Sequence, residues 1–156
     1  MFDQANSFYV CAKLCERELD EHPTRHDMYS TPQIVNLAFA CEVYLKSLLN
    51  FYKIDFGKSH KLNELLNMLP DEVRNSIENR TFDKRPVLFD AFGYKLIDKI
   101  ADAFVEWRYS YEVSRLSCEI GYLNALADSI KEECCMRLFN TNWEAYCMTV
   151  KINSDL

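Results

Sequence analysis

Glycine and proline are scarce in this sequence, which has three glycines and four prolines in 156 residues. Loops that cradle phosphates need several glycines, and neither G-x-x-x-x-G-K-[ST], G-x-G-x-x-G nor G-x-S-x-G occurs. Nucleotide hydrolysis through a P-loop is therefore excluded. Histidine is absent from the second half of the chain, so an imidazole base could come only from His22, His26 or His60.

Positive charge is also in short supply, since the formal net charge is -6 and the isoelectric point is near 5.1. A broad phosphate-binding surface needs clustered lysines and arginines, so any contact with nucleic acid would have to be local. No run approaches the roughly 18 apolar residues that span a bilayer, and the first ten residues lack a basic region followed by an apolar block. We therefore expect a cytoplasmic protein that does not enter a membrane.

The seven cysteines include no C-x-x-C pair. Because they fall within helical patterns, we expect free thiols in a reducing compartment instead of a disulfide framework. Cys11, Cys15, His22 and His26 have a spacing that suggests zinc. On a single helix, however, the rise of about 1.5 Å per residue would separate Cys15 from His22 by roughly 10 Å, too far for one ion. We expect no metal and no cofactor.

Apolar residues recur at spacings of three and four along most of the chain, which is the period of amphipathic helices. A first helix is predicted over residues 4–21. The second is predicted to begin at Ser30 or Thr31 as the cap, with Pro32 just inside it. The apolar stripe of this second helix consists of Ile34, Leu37, Ala38, Cys41, Leu45, Leu48, Leu49 and Tyr52.

Shorter and longer helices follow. Ser59 is a suitable cap for a short helix that Pro70 would end, and residues 71–80 suggest another. Residues 81–86, "TFDKRP", indicate a loop. From Leu88 to Tyr111 apolar residues again have helical spacing, which predicts one long helix.

A last long helix is predicted from a cap at Ser117 to Leu138. Beyond Asn140 the pattern changes, because apolar side chains alternate with polar ones. This alternation favours an extended tail or a single edge strand, and it involves Tyr146, Met148, Val150 and Ile152.

Four or more helices with short connections, each with one apolar stripe, pack most simply as an antiparallel bundle. The fold class is therefore predicted to be all-α, a four- to five-helix bundle with a short irregular or extended C-terminal tail. We expect a single domain over residues 1–156, with a core at about 4–139 and the tail at 140–156.

One motif stands out, "FVEWRYSYE" at residues 104–112, in which Arg108 stands among aromatic rings. In a structural role, the guanidinium would lie at the carbonyl end of a helix, stack on a ring and be neutralised by Glu42 or Glu112. In a functional role, it would grip a phosphate with two parallel hydrogen bonds. The sequence leaves both open.

His60 has two interpretations as well. At the first turn of a helix its imidazole can meet a ligand, or it can bond a neighbouring carbonyl and hold the turn. Glu42 and Lys46 form a pair four residues apart on the second helix. They would point into the same space as Arg108 if the second helix and the long fourth helix are adjacent.

Three segments together resemble the HEPN superfamily, small helical bundle proteins of prokaryotic defence and toxin systems that are fused or paired with nucleotidyltransferases. They are "ACEVYLKSLL" at 40–49, "KSHKLNELLNMLP" at 58–70 and "AFVEWRYSYE" at 103–112. The resemblance implies a four- or five-helix bundle that forms a homodimer, with functional residues in a cleft at or near the dimer interface. It leaves the first helix and the tail uncovered.

Active members of that superfamily are metal-independent endoribonucleases with an arginine, four to six residues and then a histidine. By the resemblance, Arg108 matches the arginine, but Tyr109 follows it where a polar residue is usual. Val113, Ser114 and Arg115 stand where the histidine is expected. An arginine stays charged and can stabilise phosphate charge but cannot move protons, so the ribonuclease mechanism is incomplete.

The leading hypothesis is therefore a non-catalytic or catalytically degenerate HEPN-like dimer. Its cleft would bind a nucleotide, RNA or a partner protein in a defence or toxin–antitoxin setting, the partner being a nucleotidyltransferase, a toxin or an antitoxin. The predicted ligand-binding residues are Glu42, Lys46, His60, Arg108, Tyr109 and Glu112.

Two alternatives belong to other classes. One is a metal-independent endoribonuclease with a variant active site made of Arg108, Glu112 and His60. The other is an acidic antitoxin or immunity protein, because net negative charge suits a basic partner and would steer its association.

Overall fold

The computed structural model describes residues 1–86, 96–110 and 117–154, with side chains given throughout except at positions 27 and 151–154. These residues form helices and no strand, which confirms the predicted all-α class. The helices are α1 (Phe2–Glu21), α2 (His26–Phe51), α3 (Leu62–Met68), α4 (Asp71–Lys84), α5 (Leu96–Lys99), α6 (Ala103–Arg108), α7 (Ile120–Phe139) and α8 (Trp143–Ser154). A single 3-10 turn, Pro23–Arg25, joins α1 to α2.

Helices α1 and α2 form an antiparallel hairpin. Near one end Phe2 meets Tyr44 with ring centroids 5.6 Å apart, and further along Phe8 meets Phe39 at 4.6 Å. The order of the contacts reverses between the two helices because the short turn at Pro23–Arg25 folds the chain back on itself.

Helix α2 occupies the centre of the fold and packs against α1, α3, α6 and α7. Its C-terminal half is buried on most sides, and Tyr44, Leu45, Leu48 and Leu49 are fully buried. Each buried leucine contributes roughly 2 kcal/mol by removing apolar surface from water. The burial of α2 therefore fixes the positions of the shorter helices around it.

Helix α7 runs antiparallel to both α1 and α4. Along α1, Tyr9 donates a hydrogen bond to Asp128, and Lys13 donates one to Asn124. On its other side, Arg137 near the end of α7 pairs with Glu72 at the start of α4. These cross-contacts complete the antiparallel bundle that the apolar periodicity predicts.

One segment of α2, Met28–Phe51, is long and apolar enough to cross a membrane by length and composition, with a mean hydropathy of 1.3. This differs from the sequence expectation that no run comes near that length. However, 67 % of its most apolar window is buried inside the fold. A central helix of a helical bundle shows this degree of burial because its apolar side chains contact neighbouring helices on several sides.

The start of α2 was predicted wrongly. The helix begins at His26, so Pro32 lies in its interior and not in the first turn. A proline there removes one backbone hydrogen bond. Asn36 donates its side-chain amide to the Pro32 carbonyl at 2.8 Å, and the remaining helix is held by its apolar packing.

The end of α4 also differs from the sequence prediction. Helix α4 continues to Lys84, so residues 81–84 are helical and not a loop. Thr81 is fully buried, and its hydroxyl donates a hydrogen bond to the Ile77 carbonyl, so Thr81 lies on the core side of α4.

The predicted long helix from Leu88 to Tyr111 is interrupted. Residues 88–95 and 111 lie outside the described residues, and between them α5 and α6 are separated by a turn. The cause lies at Ala101, whose carbonyl accepts a hydrogen bond from the Leu62 backbone at 3.0 Å and so leaves the helical ladder. This bond ties α6 to the start of α3.

The C-terminal tail is helical where an extended segment was predicted. Asn140 has a left-handed conformation (φ 53°) that ends α7. Asn142 then caps α8 by accepting a hydrogen bond from the Ala145 amide at 2.8 Å. Trp143 and Tyr146, three residues apart, stack on each other with centroids 5.8 Å apart and pack on the core, so helical spacing prevails over the short alternation.

Candidate functional site

Three of the predicted site residues, Glu42, Lys46 and His60, contact one another at Glu42 in the middle of α2. Only 2 % of this residue is exposed, although its side chain is charged. Its Oε1 atom lies 2.7 Å from Lys46 Nζ, one turn further along the helix, and 2.8 Å from His60 Nδ1. One carboxylate oxygen thus gathers an ammonium group and an imidazole at the edge of the core.

The loop between α2 and α3 brings His60 back to α2. Gly57 has a φ of +54°, a conformation that suits glycine because it has no Cβ, and its amide bonds to Asp55 at 2.9 Å. Further on, the Ser59 hydroxyl bonds to Glu64 at 2.6 Å, which holds the loop against the first turn of α3. His60 therefore faces Glu42 because of the turn that precedes it.

The contact with Glu42 decides what His60 can offer to a ligand. A carboxylate oxygen only accepts hydrogen bonds, so Nδ1 carries the proton and Nε2 remains available on the opposite side of the ring. The His60 side chain is 55 % exposed. The imidazole is thus oriented from below by a buried carboxylate, and it presents Nε2 as an acceptor when neutral or as a donor when protonated.

Lys46 and the second oxygen of Glu42 complete this cluster. The Lys46 ammonium lies 5.4 Å from the centre of the Phe56 ring and is only 14 % exposed. Glu42 Oε2 is buried and has no hydrogen-bond partner within the described residues. A buried carboxylate oxygen without a donor is unfavourable, and this one is closed off from solvent.

Arg108 ends α6 and is exposed. Its guanidinium lies over two rings, 4.6 Å from the centre of Tyr109 and 5.1 Å from that of Phe104, and Nη2 donates to the Tyr109 hydroxyl at 3.1 Å. The described part of the chain holds no carboxylate in an ion pair with Arg108. In particular, the two cationic partners of Glu42 are Lys46 and His60.

Helices α2 and α6 are neighbours, as the shared-site hypothesis requires. The Phe39 and Phe104 rings stack with centroids 4.6 Å apart and planes 21° apart. The start of α6 lies near His60, since Lys61 pairs with Asp102 at 3.5 Å. From there α6 runs toward the N-terminal half of α2.

Arg108 is therefore displaced from the carboxylate cluster. Six residues separate it from Asp102, and at about 1.5 Å per residue it lies roughly 9 Å further along α6. The structure brings Glu42, Lys46 and His60 together and places Arg108 and Tyr109 on the adjacent helix end. Glu112 lies outside the described residues, and a single site for all six residues remains a prediction.

The loop that carries His60 is positive in sequence, although Glu42, Glu64 and Asp102 each contact a residue near its C-terminal end. Residues 53–61 contain three lysines and one aspartate, which gives +2 with a neutral imidazole. Lys58 and Lys61 are exposed next to His60. Because the net charge of the protein is negative, any phosphate contact would have to be local, and the lysines of this segment could supply it.

Sequence inspection missed two deeply buried charged residues. Glu133 is fully buried and Lys131 is 5 % exposed, both on α7. The available signal was a charged side chain on a helix whose apolar residues leave no wide polar face.

The described residues contain no group of three or more histidine, cysteine or acidic side chains that could hold a metal ion.

Comparison with known proteins adds no relative. The chain matches no family model, no curated protein and no solved structure. The functional argument therefore rests on the residues and their geometry.

Proposed function

We propose that this protein is a non-catalytic HEPN-like module, dimeric and cytoplasmic, that binds the phosphate group of a nucleotide or RNA through the loop around His60. The observation that carries the proposal is the 2.8 Å contact between His60 Nδ1 and the buried Glu42. Fixing the imidazole in advance reduces the entropy lost when a ligand binds its free nitrogen.

The charges near His60 support a phosphate ligand. Lys58 and Lys61 are exposed on either side of it, and Lys61 is held only by a 3.5 Å pair with the half-exposed Asp102. Arg108 on the adjacent helix is exposed, and a guanidinium can donate two parallel hydrogen bonds to a phosphate group.

Binding should be measured with two probes, ATP and a short 5'-phosphorylated RNA. His60→Gln should weaken binding about tenfold or more, since it removes an oriented and ionisable group. His22→Gln is the matched control, because His22 is also exposed but lies at the end of α1. Equal affinity in the two variants would refute the site. The dimer needs a separate measurement, sedimentation of the protein without ligand.

A ribonuclease with a variant active site is the second candidate, and the Glu42–His60 pair favours it. A carboxylate that orients an imidazole is an arrangement used in general acid–base catalysis. Purified protein should then cleave a structured RNA in the presence of a chelator, and both His60→Ala and Arg108→Ala should abolish cleavage. Cleavage that survives both substitutions would come from a contaminant.

A further inference from the structure

A cavity lies near the N-terminal end of α2, between α1, α2, α6 and the start of α7. Its volume is about 460 Å³. Small-molecule pockets typically measure about 300 to 1,000 Å³, so the cavity is large enough for a ring-sized ligand. It is separate from the His60 cluster, because none of Glu42, Lys46 and His60 lines it.

Gln33 is the decisive residue of this cavity. Only 4 % of it is exposed, and it lines the cavity. Its side chain makes no hydrogen bond within the described residues. Its amide atoms are not among the fully buried polar atoms that lack a partner, so they reach the solvent that fills the cavity. The amide offers one acceptor and two donors to whatever occupies the cavity.

The walls around Gln33 are largely apolar. Ile34 is buried, and Ile120 and Trp107 are half-buried against the core. The nearest carboxylate that is not exposed, Glu16, already accepts hydrogen bonds from Lys13 at 2.9 Å and Asn124 at 3.1 Å. Among the described residues that line the cavity, Gln33 therefore has the one amide without a hydrogen-bond partner, because the Asn124 amide is already bonded to Lys13 and Glu16.

Charged side chains lie at the rim of the cavity, and they have opposite signs. Asp20 and Arg85 both line it and both are exposed to solvent. Their charges are therefore hydrated. Because the two charges have opposite signs, their electrostatic effects on a ligand partly cancel. A neutral occupant fits this arrangement better than an anion or a cation.

We propose that this cavity binds a neutral, planar nitrogen heterocycle that carries a hydrogen-bond donor next to an acceptor. The Gln33 amide pairs with that edge through two hydrogen bonds, as glutamine pairs with adenine N6 and N7 in other settings. The Trp107 ring and the isoleucines contact the apolar faces. This binding is independent of the His60 site and does not rest on the function proposed above.

Adenine and purine are suitable matched probes, because purine has the same ring system but lacks the exocyclic amino donor. Isothermal titration with the unaltered protein should show saturable binding of adenine and at least fivefold weaker binding of purine. Gln33→Leu should weaken adenine binding at least tenfold. Gln4→Leu, the same substitution at an exposed position of α1 that does not line the cavity, should change it less than threefold.

Stability separates a binding role for Gln33 from a structural role. Leucine has a similar size and no polar atoms, so Gln33→Leu should raise the melting temperature if the amide is unpartnered. A lower melting temperature would mean that the amide has a structural partner. If leucine does not fold, Gln33→Met tests the same point with a flexible side chain.

Fluorescence locates the ligand. The chain has two tryptophans, so in Trp143→Phe the emission reports Trp107 alone. Adenine should then quench it with the same dissociation constant that titration gives. Failure of adenine to bind at millimolar concentration, or equal binding of adenine and purine, would overturn the proposal.

Discussion

Glu133 lies 3.0 Å from Arg80 across the interface of α4 and α7, although no part of the glutamate side chain is exposed. The same carboxylate accepts hydrogen bonds from Ser76 at 2.8 Å and from Arg137 at 2.8 Å. A single buried group therefore joins α4 to α7. Its charge is compatible with burial because two arginines and a hydroxyl surround it.

Replacing Glu133 with glutamine should destabilise the protein by about 3 kcal/mol, because two arginines lose a shared anion. Both arginine side chains are about a quarter exposed and regain some hydration, so the loss stays near the lower end for a buried pair. Urea unfolding followed by circular dichroism measures the change in the free energy of unfolding.

Glu132→Gln is the matched control for this experiment. Glu132 is the adjacent residue, and it pairs with Lys84 at 3.0 Å, but its side chain is 39 % exposed. An exposed pair contributes less than about 1 kcal/mol. If the two variants lose equal stability, the Glu133 network does not hold α4 to α7.

A second prediction concerns Lys131, whose ammonium lies 4.1 Å from the centre of the Tyr9 ring and 4.5 Å from that of Trp143. Burial lowers the pKa of Lys131 from its usual 10.5, and Asp128 acts in the opposite direction. The folded protein therefore loses this proton at a lower pH than the unfolded chain does. Between those two pKa values stability rises with pH.

Lys131→Met removes this ionisation and keeps most of the side-chain volume. The free energy of unfolding of the wild type minus that of the variant should become more positive as the pH rises toward 10.5, the usual pKa of lysine. Denaturant titrations of both proteins at several pH values give this difference. A constant or falling difference would mean that the charged form is favoured in the fold.

The third prediction is a difference in thiol reactivity. Burial raises the pKa of the Cys118 thiol to about 12, with Glu119 and Glu106 adding to the effect. At pH 8 only roughly one molecule in 10⁴ would carry the reactive thiolate. Cys11, by contrast, is exposed on α1. A maleimide should label Cys11 at least about tenfold faster than Cys118 in the folded protein.

Peptide mapping by mass spectrometry after timed labelling checks this order, and unfolding in urea should abolish the difference in labelling rate.

The raised pKa of Cys118 also has a consequence for stability. The folded protein retains the Cys118 proton when the unfolded chain has lost it, so this stabilisation is lost as the pH rises above about 9. Cys118→Ser should make the alkaline loss of stability shallower.

The fourth prediction concerns the docking of α8. Trp143 packs on Tyr146 and on Lys131, whereas Met148 on the same helix is 65 % exposed. Trp143→Ala should lower the free energy of unfolding by about 3 kcal/mol, and Met148→Ala by less than about 0.5 kcal/mol. Thermal unfolding of both variants measures this. Similar melting temperatures would show that α8 is not part of the cooperative fold.

Much of the fold could be predicted because the apolar pattern is long and regular. Helix α3 follows from the leucine spacing between Ser59 and Pro70, and α7 follows from a stripe of nearly twenty residues. A pattern of only four alternating residues is ambiguous, so the tail was assigned wrongly. The capping asparagine at 142 was the better signal, because it marks the start of a helix.

The site could be predicted only in part. Glu42 and Lys46 share a helix face, so their contact follows from spacing. The approach of His60 depends on the path of the loop after α2, and the displacement of Arg108 depends on the turn at Ala101. Both arise from contacts between residues that are distant in sequence, and helical periodicity carries no information about them.

The position of Glu42 in the central helix has a consequence for how this protein tolerates mutation. Substitutions at Glu42 alter the support of the imidazole and the most buried helix together, so they should reduce both cellular abundance and ligand capture. Substitutions at His60, which is half exposed, should leave abundance unchanged. A deep mutational scan that scores abundance and ligand capture separately should therefore find that substitutions at Glu42 reduce both, whereas substitutions at His60 reduce ligand capture alone.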